Sequence, residues 1–115
     1  MIDELGQDMV PDIPNEYRQY LETNGSFEGF TTDAAIPGYV VLWSLEEIVG
    51  NNADIGIHEH APGFLAFASD GGGEVLAFDA SGRIFMLPLT GMEPRYAQKV
   101  ANSFGELASQ FELDA

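Results

Sequence analysis

Residues 69–79 read SDGGGEVLAFD, three consecutive glycines held between two carboxylates. Glycine-rich loops cradle phosphate when a lysine and a hydroxyl follow the glycines, or when the loop joins a strand to a helix. Here Glu74 follows Gly73, and the stretch after it, EVLAFD, reads as strand. Asp70 and Glu74 would repel a phosphate at close range. Gly71, Gly72 and Gly73 therefore read as a strand-to-strand turn that uses glycine for its dihedral freedom. The bare backbone would also let a partner approach closely, with Asp70 and Glu74 as handles.

HEH at 58–60 is the one histidine cluster. In an extended segment His58 and His60 share a face, and two imidazoles can begin a metal site. Beyond Asp54 no further nearby ligand presents itself, and zinc sites take three or four protein ligands. Exposed loop histidines without a metal are the simpler expectation. The chain has 19 Asp and Glu, so some glycosidase-like pair of acids is inevitable and carries no information. No G-x-S-x-G elbow occurs, and no cysteine exists to act as nucleophile. Trp43 could offer a sugar platform, but its position before a helix cap argues for the core. The expectation is no catalytic residue, no cofactor and no metal.

The charge is more telling. Against those 19 acids stand four Lys and Arg, a formal net charge of −15 over 115 residues. Such a field repels nucleic acid and anionic membranes and attracts basic proteins. The acids are spread along the chain and 45% of residues are hydrophobic, as in a folded domain. No stretch approaches the ~20 apolar residues of a membrane span. The opening MIDELGQDMV lacks the basic and apolar regions of a secretory signal. With no cysteine present, a cytoplasmic location is expected.

The elements that would position these residues form a single domain over 1–115, with 1–12 as a short lead-in. Ile2, Leu5 and Met9 could make one loose turn that Pro11 stops. Ile13, Tyr17, Tyr20 and Leu21 form an apolar stripe, which predicts a helix over 13–25 with Pro14 at its first position and Gly25 as its stop. The loop SFEGFTTDAAIPG follows, with Phe27 and Phe30 expected to tuck inward. YVVLW (39–43) reads as strand. Ser44 and Glu47 fit a capping box, and Trp43 and Ile48 a hydrophobic staple, opening a short helix 45–49 that ends at Gly50.

After the loop NNADIGIHEHAPG come strands at 64–69, 74–79 and 83–88. Their connections are too short for parallel crossovers, so they form an antiparallel meander. Strand 39–43 can add at its edge. At the C-terminus, helical spacing runs from Ala97 to Phe111, but Ser103 and Glu106 repeat the S-x-x-E cap and Gly105 weakens a continuous helix. A final helix from about Ser103 is preferred, with 94–102 a less regular approach or a separate turn.

IPNEYRQYLETNG, LWSLEEI, APGFLAFASDGGGEVLAFD and VANSFGELASQF, in that order, resemble the SUKH superfamily. Its namesakes are the yeast Smi/Knr cell-wall synthesis regulators, and its bacterial members include many immunity proteins. The similarity spans about residues 13–111. It implies an α+β domain with helices packed against a largely antiparallel sheet, for which the segments above supply about four strands. It also implies a role in binding, typically the neutralisation of a toxin, often a nuclease, with no catalytic residues to carry over. What carries over is structural: Trp43 and Leu45 around the capped helix, Gly71 to Gly73 at the turn, Phe78 and Phe104.

Together, charge and resemblance suggest an immunity protein whose partner is a basic protein, a toxin domain, with neither nucleic acid nor membrane. The candidate partner-binding residues are the loop acids Glu28, Asp33, Asp54, Glu59, Asp70 and Glu74, with Gly71, Gly72 and Gly73. A regulatory or adaptor scaffold, or a small-ligand-binding module, is the alternative.

Overall fold

The computed structural model describes residues 11–32 and 36–112. The loose turn expected around Ile2, Leu5 and Met9 lies outside the described residues. Helix α1 is Asn15–Asn24. Pro14 sits one position earlier than expected, as the extended residue before the helix, and its carbonyl accepts from the Tyr17 and Arg18 N–H groups. Gly25 closes the helix with φ +72°, its N–H reaching the Leu21 carbonyl.

The sheet among the described residues has six strands, not about four, all antiparallel and in chain order. They are β1 Glu28–Phe30, β2 Tyr39–Leu42, β3 Leu65–Ser69, β4 Glu74–Phe78, β5 Ile84–Pro88 and β6 Gln98–Ala101. The meander β3–β4–β5 and the addition of β2 at its edge agree with the expectation. The two further strands are the sheet's edges. EGF and QKVA are short and carry polar or glycine residues, so composition does not announce them. Pairing to β2 and β5 makes them strands. Helix α4, Phe104–Ala108, begins after Ser103 as expected, and the Ser103 hydroxyl accepts from the Glu106 N–H.

The capping box at Ser44 forms as read: Glu47 N–H donates to Ser44 Oγ at 3.1 Å, and Ser44 N–H to Glu47 Oε1 at 2.8 Å. The helix it opens does not end at Gly50. α2 runs Leu45–Ile55, Gly56 turns it with φ +65°, and a further turn, α3 Ile57–His60, follows. So NNADIGIHEH is helical, not loop. Gly50 is exposed and costs the helix about 1 kcal/mol relative to alanine. The buried side chains of Ile48 and Asn52 offset that cost.

Asn52 explains why the helix must reach this far. Strand β2 has ended by Trp43, leaving Ala66 of β3 without a strand neighbour on that side. The Asn52 amide fills the gap. Its Nδ2 donates to the Ala66 carbonyl at 2.8 Å, and its Oδ1 accepts from the Ala66 N–H at 2.9 Å. Nδ2 also donates to the Ile48 carbonyl at 2.6 Å. One side chain thus substitutes for a strand, next to the irregularity in β3 between Ala66 and Ala68.

Alternation along β4 divides the core. Leu76 and Phe78 face one side, with Tyr17 of α1 and Phe104 and Leu107 of α4. Val75 and Ala77 face the other, with Ile57 of α3, Ala61, Leu87 and Met92. Tyr17 is the hub of the first cluster. It meets Phe67, Phe78 and Phe104 edge-on at 5.2, 5.8 and 4.9 Å between ring centres. Its hydroxyl donates to the Trp43 carbonyl.

Burial pushes the Tyr17 hydroxyl well above the usual tyrosine pKa. In alkali the unfolded chain therefore releases this proton before the folded chain does. Stability should be intact below the ordinary tyrosine pKa of about 10 and fall above it, by up to about 1.4 kcal/mol per pH unit from this group. Urea melts of wild type and Tyr17→Phe between pH 8 and 11 check this. The variant should start less stable and lose less as pH rises.

Candidate functional site: the acidic end of the sheet

Val40 and Leu42 of β2 point into the first core cluster, so Tyr39 and Val41 point to the opposite face. On that face β1 places Phe30 across from Tyr39 and Glu28 across from Val41. The second core cluster draws buried residues from β3, β4 and β5 but none from β1 or β2. This end of the sheet face is therefore open. Phe30 is 66% exposed rather than tucked inward, whereas Phe27 does pack inward, stacked on Phe111 at 4.2 Å.

The open patch is ordered by side-chain contacts. Phe30 meets Tyr39 edge-on at 5.0 Å. The Tyr39 hydroxyl donates to Glu28 Oε2 at 2.8 Å, and that hydrogen bond, with a smaller contribution from burial, holds the hydroxyl above its usual pKa. Glu28 stands between two grooves. One, of about 590 Å³, runs to Trp43, Glu47 and Asn51 at the start of α2. The other, of about 330 Å³, is lined by Phe30, Tyr39 and Glu112. Trp43 also packs against both core clusters, in keeping with its reading as a core residue.

The glycine turn adjoins this patch. Asp70 Oδ1 accepts from Gly72 N–H at 2.8 Å and from Glu74 N–H at 3.2 Å. Two of the loop amides are thus spent on the loop's own carboxylate, and Gly71 N–H donates to Ser69 Oγ at 3.3 Å, so a carboxylate occupies the place a phosphate would take. Of the three glycines only Gly71 has a positive φ, +80°, and a methyl group there would lie 3.0 Å from the Tyr39 ring. Gly71→Ala should cost about 1–2 kcal/mol and disturb Tyr39. Gly72→Ala, whose nearest neighbour would be Asp70 at 3.5 Å, should cost less. Thermal melts together with the Tyr39 ring resonances distinguish the two.

The remaining candidates divide. Asp54 is exposed on α2, at the spacing that places it on the helix face of Glu47 and Asn51. Glu59 lies apart, in a groove of about 480 Å³ with His60, Leu89, Met92 and Glu93. Asp33 lies outside the described residues. His58 and His60 do not share the face that an extended segment would give them. They belong to α3, and His58 lines a different groove, beside Arg18 and Val49. Among the described residues no three His, Cys, Asp or Glu converge as metal ligands.

Phe30, Tyr39, Glu47 and Glu112 join the site without a signal of their own in the sequence. YVVL is apolar throughout, so alternation does not reveal that one of its faces is open.

Cations are absent from this region. No Lys or Arg occurs between Arg18 and Arg83, a span that includes β1 to β4 and helices α2 and α3. Arg83 pairs with Asp79 at 3.0 Å and Arg95 with Glu93 at 2.9 Å. Among the described residues no helix is long and apolar enough to cross a membrane.

A family model described as the SMI1 / KNR4 family (SUKH-1) matches residues 1–110. No curated protein matches the chain.

Proposed function

We propose that this chain, which belongs to the SMI1 / KNR4 family (SUKH-1), acts as an immunity protein: it neutralises a basic, nuclease-type bacterial toxin domain by binding it, and performs no chemistry itself. The family is consistent with a toxin-immunity role or with a role like that of its namesakes. The observation that favours the first is the cation-free stretch from Arg18 to Arg83 in a chain of net charge −15. A nuclease grips phosphate with a basic surface. An anionic protein can occupy that surface as a charge mimic, and complementary fields speed the encounter.

The test has two steps. The tagged chain is used to capture proteins from its native host, and the captured protein is then co-expressed with and without it. Under this reading the captured protein is basic, and toxic unless the chain accompanies it. A non-toxic cytosolic partner would instead support an adaptor role. Turnover of a substrate by the purified chain would overturn both.

A further inference from the structure

The open face of β1 and β2 has the chemistry of a socket for one side chain of a partner. Phe30 is exposed in a folded chain whose other phenylalanines are mostly inside. Its ring is held against Tyr39, Tyr39 is held by Glu28, and Glu112 lines the same groove. The backbone fixes all four. The Glu112 N–H donates to the Phe30 carbonyl at 2.9 Å, and Thr32 N–H to the Gln110 carbonyl at 2.8 Å, which ties the C-terminal segment to β1. Among the described residues Glu28 and Glu112 have no cation within salt-bridge distance.

Two aromatic rings sharing a groove with two carboxylates match a planar cation with an apolar stem. An arginine side chain stacks on aromatic rings and pairs its fork with a carboxylate, whereas an ammonium is more strongly hydrated and gains less from a ring. We infer that this groove receives an arginine side chain from a basic segment of the partner protein, with the guanidinium laid on the exposed face of the Phe30–Tyr39 pair and paired to Glu28 and Glu112. Glu47, along the neighbouring groove, meets the following positive charge. This rests on the protein-binding reading and specifies where and how the contact is made.

The probe is a short arginine–glycine repeat peptide, titrated into the ¹⁵N-labelled full chain at low salt, with the matched lysine–glycine peptide alongside. Amide shifts should concentrate at Glu28 to Phe30, Tyr39 to Val41 and Glu112. The arginine peptide should bind more tightly than the lysine peptide. Phe30→Ala and Glu28→Gln should each weaken it about threefold to tenfold while thermal melts stay near wild type, since both side chains are exposed. Shifts spread evenly over the acidic surface, shifts centred on Glu59 and Glu93, or no loss in Phe30→Ala would overturn the socket. The same variants are then tried on the protein captured from the host. Unchanged binding there would remove this site while leaving the protein-binding function standing. Failure to capture any protein would count against that function independently of the peptide result.

Discussion

Asn52→Ala should lower the unfolding free energy by about 3 kcal/mol and the melting temperature by about 10–15 °C. The size follows from what the truncation strands. Asn52 is 4% exposed and satisfies both the N–H and the carbonyl of Ala66, which β2 does not reach. Alanine leaves a buried donor and a buried acceptor without partners and opens a path between α2 and β3. Asn52→Asp should be no better, because it keeps an acceptor for the Ala66 N–H while placing a carboxylate against the Ala66 and Ile48 carbonyls. Chemical denaturation of the three proteins decides it. If Asn52→Ala lay within about 1 kcal/mol of wild type, the strand-substituting role would be wrong.

The largest effect on binding is expected from reversing charge at the open end of the sheet. Glu28→Lys combined with Glu47→Lys should slow association with the basic partner about tenfold or more at low ionic strength. Dissociation should change less. Both side chains are exposed and line the same groove, so the pair alters the field at one place. Glu47 also completes the Ser44 capping box, so a modest loss of stability, about 1 kcal/mol, accompanies the change and is read separately by melting. Glu59→Lys makes the same charge change in a different groove. It should slow association less. Equal effects from the two sites would mean that net charge matters and location does not.

The parts of this fold legible in the sequence were those specified by local rules. The S-x-x-E caps fixed where α2 and α4 begin, and the short polar connections made β3, β4 and β5 an antiparallel meander. What local rules did not reveal depends on distant partners. β1 and β6 are strands because β2 and β5 pair with them. Gly50 resembles a helix stop, yet the helix continues because Asn52, one turn from Ile48, is needed at the edge of β3. A run such as NNADIG reads as a turn until that tertiary contact is known.

The candidate site was legible only in outline. Charge pointed to acids in the loops; of these Glu28 lies on the open end of the sheet and Asp70 in the turn beside it, whereas Glu74 falls on the β4 face of Leu76 and Phe78, the opposite side. Asp70, however, is turned into its own loop. The aromatic pair at the centre of the patch had no signature, because Phe30 and Tyr39 are separated by eight intervening residues and meet only through the register of β1 on β2.

The central claim, that an anionic surface finds a cationic protein, is tested most directly by the association rate of the captured partner across ionic strength. Between about 50 mM and 500 mM salt the Debye length shrinks to a few ångströms, and steering is screened. The account predicts an association rate that falls steeply over this range while the dissociation rate stays nearly flat. An association rate indifferent to salt would contradict it.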